Sequence, residues 1–163
     1  MTRILGIDPG THRIGFGVLE KTGSEIKTIG FGCLDLKEKD KSKRLKQIFE
    51  RICGVIKDRK PDLMAVEALF FFKNQKTVFG VAEARGAIIL AGAINDIPIL
   101  EPTPLQVKQA ICGYGRAQKV QVQTMMKRLL KLKEIPKPDD AADALAIAFY
   151  GASHKNFRIT NDE

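Results

Sequence analysis

The fold turns on Arg3-Ile4-Leu5-Gly6-Ile7-Asp8-Pro9-Gly10 and on the stretch that follows it, Ile14-Gly15-Phe16-Gly17-Val18. Residues 3–7 are a short apolar run, which predicts a buried strand. Asp8-Pro9-Gly10 ends it, because proline fixes φ and glycine admits φ > 0. Ile14, Phe16 and Val18 alternate with glycines, which predicts a second strand, and residues 26–36 predict a third. Three strands joined by short connections make an antiparallel meander.

Downstream the period changes. Leu45, Ile48, Phe49, Ile52, Val55 and Ile56 recur at helical spacing with Lys and Arg on the other face, and Pro61 ends that helix. Leu63-Met64-Ala65-Val66 reads as a short strand buried on both faces. A long Ala/Gly-rich helix is expected over residues 75–95 and a fifth strand over 98–100. Thr103-Pro104-Leu105-Gln106 reads as a helix start, with Thr as cap, Pro at the first helical position and Gln completing a capping box. Further helices are expected over residues 118–132 and 140–153. The order predicts an α/β fold, a mixed sheet with helices on both faces.

The chain has 163 residues, which suits one domain, here residues 1–155 followed by a short polar tail at 156–163. A composition of 44% hydrophobic and 28% charged residues excludes a disordered chain. The first residues lack a signal peptide's apolar stretch and cleavage site, and the longest strongly apolar run, 86–94, is too short for a bilayer, so a cytoplasmic protein is expected. Cys33, Cys53 and Cys112 contain no C-x-x-C pair, which excludes a disulfide framework or zinc site. His12 and His154 lie at opposite ends of the chain and form no metal-binding pair.

Charge is unevenly placed. The net charge is +8, yet residues 37–60 hold ten basic and four acidic side chains, and residues 106–137 hold eight basic and one acidic. The remainder is therefore mildly acidic. Two basic stretches suggest a polyanion, with nucleic acid the default; the plainer reading is Lys-rich solubility.

Four acidic residues are placed oddly. Asp8 and Glu67 each follow a buried strand directly, and Asp140 and Asp143 open an apolar helix with both carboxylates on one face. If the two strands are central and point the same way, their ends are neighbours and the helix start reaches them. Such carboxylates repel unless a cation neutralises them. With no His or Cys cluster competing, a hard divalent ion fits, Mg²⁺ above all where a phosphate completes the shell. Two such ions can activate water and stabilise the leaving oxygen of a phosphodiester. Taken singly, Asp8 reads as a turn former, Glu67 as a solvent-facing strand end and Asp140 as a helix cap, with Asp143 a charge favoured near a helix N-terminus. Asp139 is also available as that cap. Only the conjunction on one basic chain argues for a site.

Phe70-Phe71-Phe72-Lys73-Asn74 is a second anomaly. An aromatic there would stack on an unpaired base, or else staple the following helix. Gly113-Tyr114-Gly115-Arg116, before a basic helix, would let backbone approach a phosphate.

Together, Gly6-Ile7-Asp8-Pro9-Gly10, Ala65-Val66-Glu67, Phe70-x-x-Lys73-Asn74, Ala84-Arg85-Gly86, Gln106-Val107-Lys108-Gln109 and Asp140-Ala141-Ala142-Asp143-Ala144-Leu145-Ala146 resemble the RuvC Holliday-junction resolvases. The resemblance implies an RNase H-like fold with a five-stranded mixed sheet. It implies a homodimer that cuts four-way DNA junctions symmetrically in recombination and repair, leaving 5′-phosphates. The family's catalytic, metal-holding carboxylates fall on Asp8, Glu67, Asp140 and Asp143. Lys119 falls on a catalytic and DNA-binding lysine, and Phe70, Lys73, Lys108 and Arg116 are the other expected DNA contacts. Mg²⁺ is the implied cofactor, two ions per site with Mn²⁺ as substitute. The RuvA–RuvB branch-migration complex is the implied partner. Phe71 and Phe72 extend the aromatic patch and leave the choice of stacking residue open. Rival readings are a nucleotide-handling fold of the actin and sugar-kinase class, a relative acting on RNA, and a non-catalytic binder of branched DNA.

Overall fold

A computed structural model describes residues 1–69 and 75–154. Five strands form one sheet in the order β3-β2-β1-β4-β5. β1 (Thr2–Asp8), β2 (Arg13–Thr22) and β3 (Glu25–Asp35) are the antiparallel meander read from the sequence. β4 (Leu63–Val66) joins the other edge of β1 in parallel, and β5 (Ile99–Leu100) continues in parallel beyond it. β2 runs further than its alternating residues suggest. The β2–β3 register shifts by one between Val18 and Leu19, leaving Ile29 of β3 without a pairing partner. Val18 and Leu19 are both buried because they face opposite, helix-covered sides of the sheet.

The central strands bury both faces by alternation. Ile4, Leu63 and Ala65 pack against α3 (Pro104–Cys112), α4 (Lys119–Leu129) and α5 (Asp139–Ser153). Leu5, Ile7, Met64 and Val66 pack against α1 (Lys41–Arg59) and α2 (Gln75–Ile94). Helices therefore cover both faces, as expected for a sheet with parallel central strands.

Helix ends follow local chemistry. The capping box at α3 forms as read: the Gln106 N–H donates to Thr103 Oγ1 at 3.3 Å, and the Thr103 N–H donates to Gln106 Oε1 at 2.8 Å. α4 stops at Leu129, three residues short of expectation. Lys131 takes φ 52°, and the Leu132 N–H turns back to the Lys127 carbonyl at 2.9 Å. α5 starts at Asp139 with Pro138 as its cap residue, so Asp139 is not the cap that the sequence offered.

α2 forms where expected, but its apolar run is longer than residues 86–94. Its segment Thr77–Ile94 has mean hydropathy 1.5 and is long and apolar enough to cross a membrane by length and composition alone. It lies instead along the sheet, with Ala84, Ile88 and Ala91 buried in the core.

α5 sits unusually low on the sheet. A Cβ on Gly6 would overlap backbone of Ala144 and Ala148, one on Gly15 would overlap the Asp140 carbonyl, and one on Gly17 would lie 2.8 Å from Leu145 Cα. Gly15→Ala should therefore lift the start of α5, destabilising the protein by about 1–3 kcal/mol. Gly54→Ala, mid-helix with open space around it, should stabilise by about 0.5–1 kcal/mol. Thermal denaturation of the two variants checks the contrast.

Candidate active site

The parallel register sets the first pair of carboxylates. Ile7 pairs with Val66, so Asp8 and Glu67 emerge side by side at the same end of the sheet. The Glu67 N–H donates to the Ile7 carbonyl at 3.3 Å, one step beyond the ladder. Across the antiparallel edge Asp8 pairs with Gly15, and α5 lays the Asp140 backbone directly over that glycine. Asp143 follows one turn on. Four acidic side chains, from β1, from α5 and from the residue just past β4, thus share one end of the sheet.

Their charges are felt mutually. Burial, then Glu67, Asp143 and Asp140, push the Asp8 carboxyl up to about 8, with Lys119 opposing. Burial and then Asp143 push Glu67 up to about 7, with Lys108 opposing. Burial also raises Asp143, against a hydrogen bond from Lys119. Lys119, at the first position of α4, reaches Asp143 and Asp139 at 3.1 Å each.

Other expected site residues are distributed unevenly. Lys108 is half-buried on α3, and its charge reaches Glu67. Arg116 is exposed on the loop between α3 and α4, and no described contact ties it to the carboxylates. Phe70 and Lys73, with Phe71 and Phe72, lie outside the described residues.

Three neighbours were not singled out by sequence reasoning. Arg13 bonds Asp35 at 2.7 Å and stands 3.8 Å from Asp140. Asp139 anchors Lys119; its i, i+4 relation to Asp143 was the available signal. Arg85 donates to the Glu67 carbonyl at 2.9 Å, and its motif carried no assigned role.

The donor set suits a hard divalent cation: it is all oxygen, partly desolvated, and short of positive charge. Among the described residues no three such side chains already converge as ligands of one ion.

This arrangement makes metal-free stability pH-dependent. The folded protein keeps protons on Asp8 and Glu67 that the unfolded chain releases near its ordinary values of 3.8 and 4.5. Between about pH 4 and 8 the folded state binds more protons, so stability falls as pH rises. Asp8→Asn should raise metal-free stability by roughly 2–4 kcal/mol at pH 8, and the gain should vanish near pH 4. Thermal melts in chelator across that range check this; a pH-independent gain would contradict it.

Comparison with known proteins agrees with this architecture. The sequence model of the family "Crossover junction endodeoxyribonuclease RuvC" matches residues 4–150. The RuvC of Brevibacillus brevis is 51% identical over 157 residues, covering 96% of this chain and 93% of that one. The Thermus thermophilus RuvC structure superposes with a TM-score of 0.84 at 34% identity, covering 93% of each chain. The same enzyme in complex with a Holliday junction substrate gives 0.82 at 31% identity, again over 93% of each chain. The mixed sheet is thus the RNase H-like fold of these resolvases, and the chain belongs to the RuvC family of crossover junction endodeoxyribonucleases.

Proposed function

We propose that this protein resolves four-way DNA junctions by metal-assisted hydrolysis at Asp8, Glu67, Asp140 and Asp143. The observation that carries the reading is the carboxylate quartet, only partly compensated by Lys119 and Arg13, with Asp8 raised to about 8. The junction complex of the Thermus thermophilus relative names the substrate. Mg²⁺, two ions per site with Mn²⁺ able to substitute, would be held by the four carboxylates; bound there, it supplies an activated water and support for the departing 3′-oxygen. The products are a 5′-phosphate and a 3′-hydroxyl.

The chain's own groups have separable tasks. The carboxylates hold the cation and keep their end of the sheet from other anions. Lys119, bonded to Asp143 and Asp139 here, is released to the scissile phosphate once those charges are met. Lys108 neutralises the flank near Glu67 and takes a neighbouring phosphate. Arg116 and the basic α3–α4 segment bind a junction arm, with Phe70 and Lys73 at the branch point.

Paired cuts require two sites, so a homodimer is part of the proposal. An exposed apolar strip on α2 supports it: Phe79, Leu90 and Ile94 are 79%, 52% and 61% exposed. Gly86 on the same helix has open space beside it. A single nuclease domain over 1–155 with a tail at 156–163, a cytoplasmic location, a role in DNA repair and cooperation with a RuvA–RuvB complex complete the reading.

The test is Mg²⁺-dependent cleavage of a synthetic four-way junction, with linear duplex as control. Symmetric nicks in the junction alone are expected. Asp8→Asn should lose at least ~10³-fold in rate while still binding junctions. Binding without cutting under any divalent ion would make the protein an architectural one. Lys108→Ala should weaken junction binding and lower the slope of log affinity against log salt by about 1.

A further inference from the structure

Where β4 leaves the sheet, its last carbonyl is held by a side chain. The ladder ends at Val66. Beyond it the Glu67 N–H reaches the Ile7 carbonyl at 3.3 Å, and the Ala68 N–H reaches the Pro102 carbonyl at 2.8 Å. The Glu67 carbonyl accepts from Arg85 Nε at 2.9 Å. The other arm of that guanidinium pairs with the Glu101 carboxylate, just past β5. The Arg85 side chain is only 15% exposed, against 52% for Glu101. One planar fork therefore ties α2, the end of β4 and the segment after β5 into a single unit.

We propose that Arg85 is a positioning residue for the metal site, fixing the Glu67 backbone so that its carboxylate faces Asp8 and Asp143. This rests on the proposed metal-assisted reaction. Glu67 is the one member of the quartet standing outside regular structure, since Asp8 lies in β1 and Asp140 and Asp143 lie in α5. Asp8 stands beside it across the parallel register, and α5 brings Asp143 to the same end of the sheet. The Glu67 N–H is still held by Ile7, but its carbonyl has no strand partner, so the peptide that orients the side chain needs a hold on that side. Arg85 supplies that hold through the backbone and leaves both carboxylate oxygens free for a cation. A lysine has one ammonium in place of two directed N–H arms and cannot span both acceptors in this geometry.

The test uses full-length protein and reads Mg²⁺ affinity in two ways. One is the Mg²⁺ concentration for half-maximal junction cleavage. The other is the midpoint of the Mg²⁺-induced rise in melting temperature without DNA. Arg85→Met and Arg85→Lys should shift both midpoints upward by about 10-fold or more. Junction affinity without metal should stay within about 3-fold of the parent. Glu101→Gln loosens the anchor without removing the fork and should shift both midpoints less, in the same direction. It keeps the question answerable should the Arg85 variants fail to fold. Unchanged Mg²⁺ midpoints in folded variants would overturn the proposal, as would a loss confined to junction affinity. A parent protein that neither cuts junctions nor responds to Mg²⁺ would instead sink the proposed function itself.

Discussion

The seating of α5 on the glycines of β1 and β2 is the constraint from which the site follows. A helix packed on a sheet through ordinary side chains stands clear of the strands. Here Gly6, Gly15 and Gly17 remove that spacer, and the helix answers with Ala141, Ala144 and Ala148, all buried. Backbone then meets backbone, and the first turn of α5 comes down over the end of β1. Because Gly15 is both the cross-strand partner of Asp8 and the floor beneath Asp140, one close contact fixes how far apart two acidic groups stand. The same glycines that weaken a strand by themselves set the geometry of the site.

That geometry places charges where burial disfavours them. Asp8 and Glu67 hold their protons into the neutral range because neither has a positive partner close enough to offset desolvation. Lys119 compensates only part of the quartet, and it divides itself between Asp143 and Asp139. Such a site draws on the stability of the rest of the fold, as sites built for function often do. Here that reserve is a double-faced core in which Ile4, Leu5, Ile7, Leu63, Met64, Ala65 and Val66 are essentially inaccessible. The acidic strand ends thus project from strands that are buried on both faces.

Much of this was legible from residues. The apolar runs at 3–7 and 63–66 implied central strands, and an acidic residue directly after each implied a shared edge. Parallel pairing made that adjacency real. What the sequence concealed falls into two kinds. Arg85 acts on a backbone carbonyl, and a carbonyl has no side-chain signature at either end of the bond. Arg13 meets Asp35 only because β2 and β3 pair in a register broken by a bulge. Residue type betrays neither. Asp139 offers itself in the sequence as one available cap because caps are local, whereas its bond to Lys119 depends on how α4 and α5 pack.

Charge counting was the least discriminating guide, and the fold shows why. The two basic stretches lie on opposite faces of the sheet, one on α1 beside α2 and the other on α3 and α4 beside α5. Three of the ten cations in the first are engaged within the protein: Arg51 bonds the Asp35 carbonyl at 2.6 Å, Lys41 pairs with Glu83 at 2.5 Å, and Lys46 with Glu50 at 3.7 Å. The second borders the carboxylates and contributes Lys108 and Lys119 to their field. A polyanion nearing this end of the sheet meets four carboxylates, so net charge alone does not draw it in. In the function proposed above, Lys108 and Lys119 flank the acidic cluster, and the site turns attractive to a phosphate only when its own negative charge is met. On that proposal, nucleic-acid binding and metal binding are one electrostatic problem, set at the ends of β1 and β4.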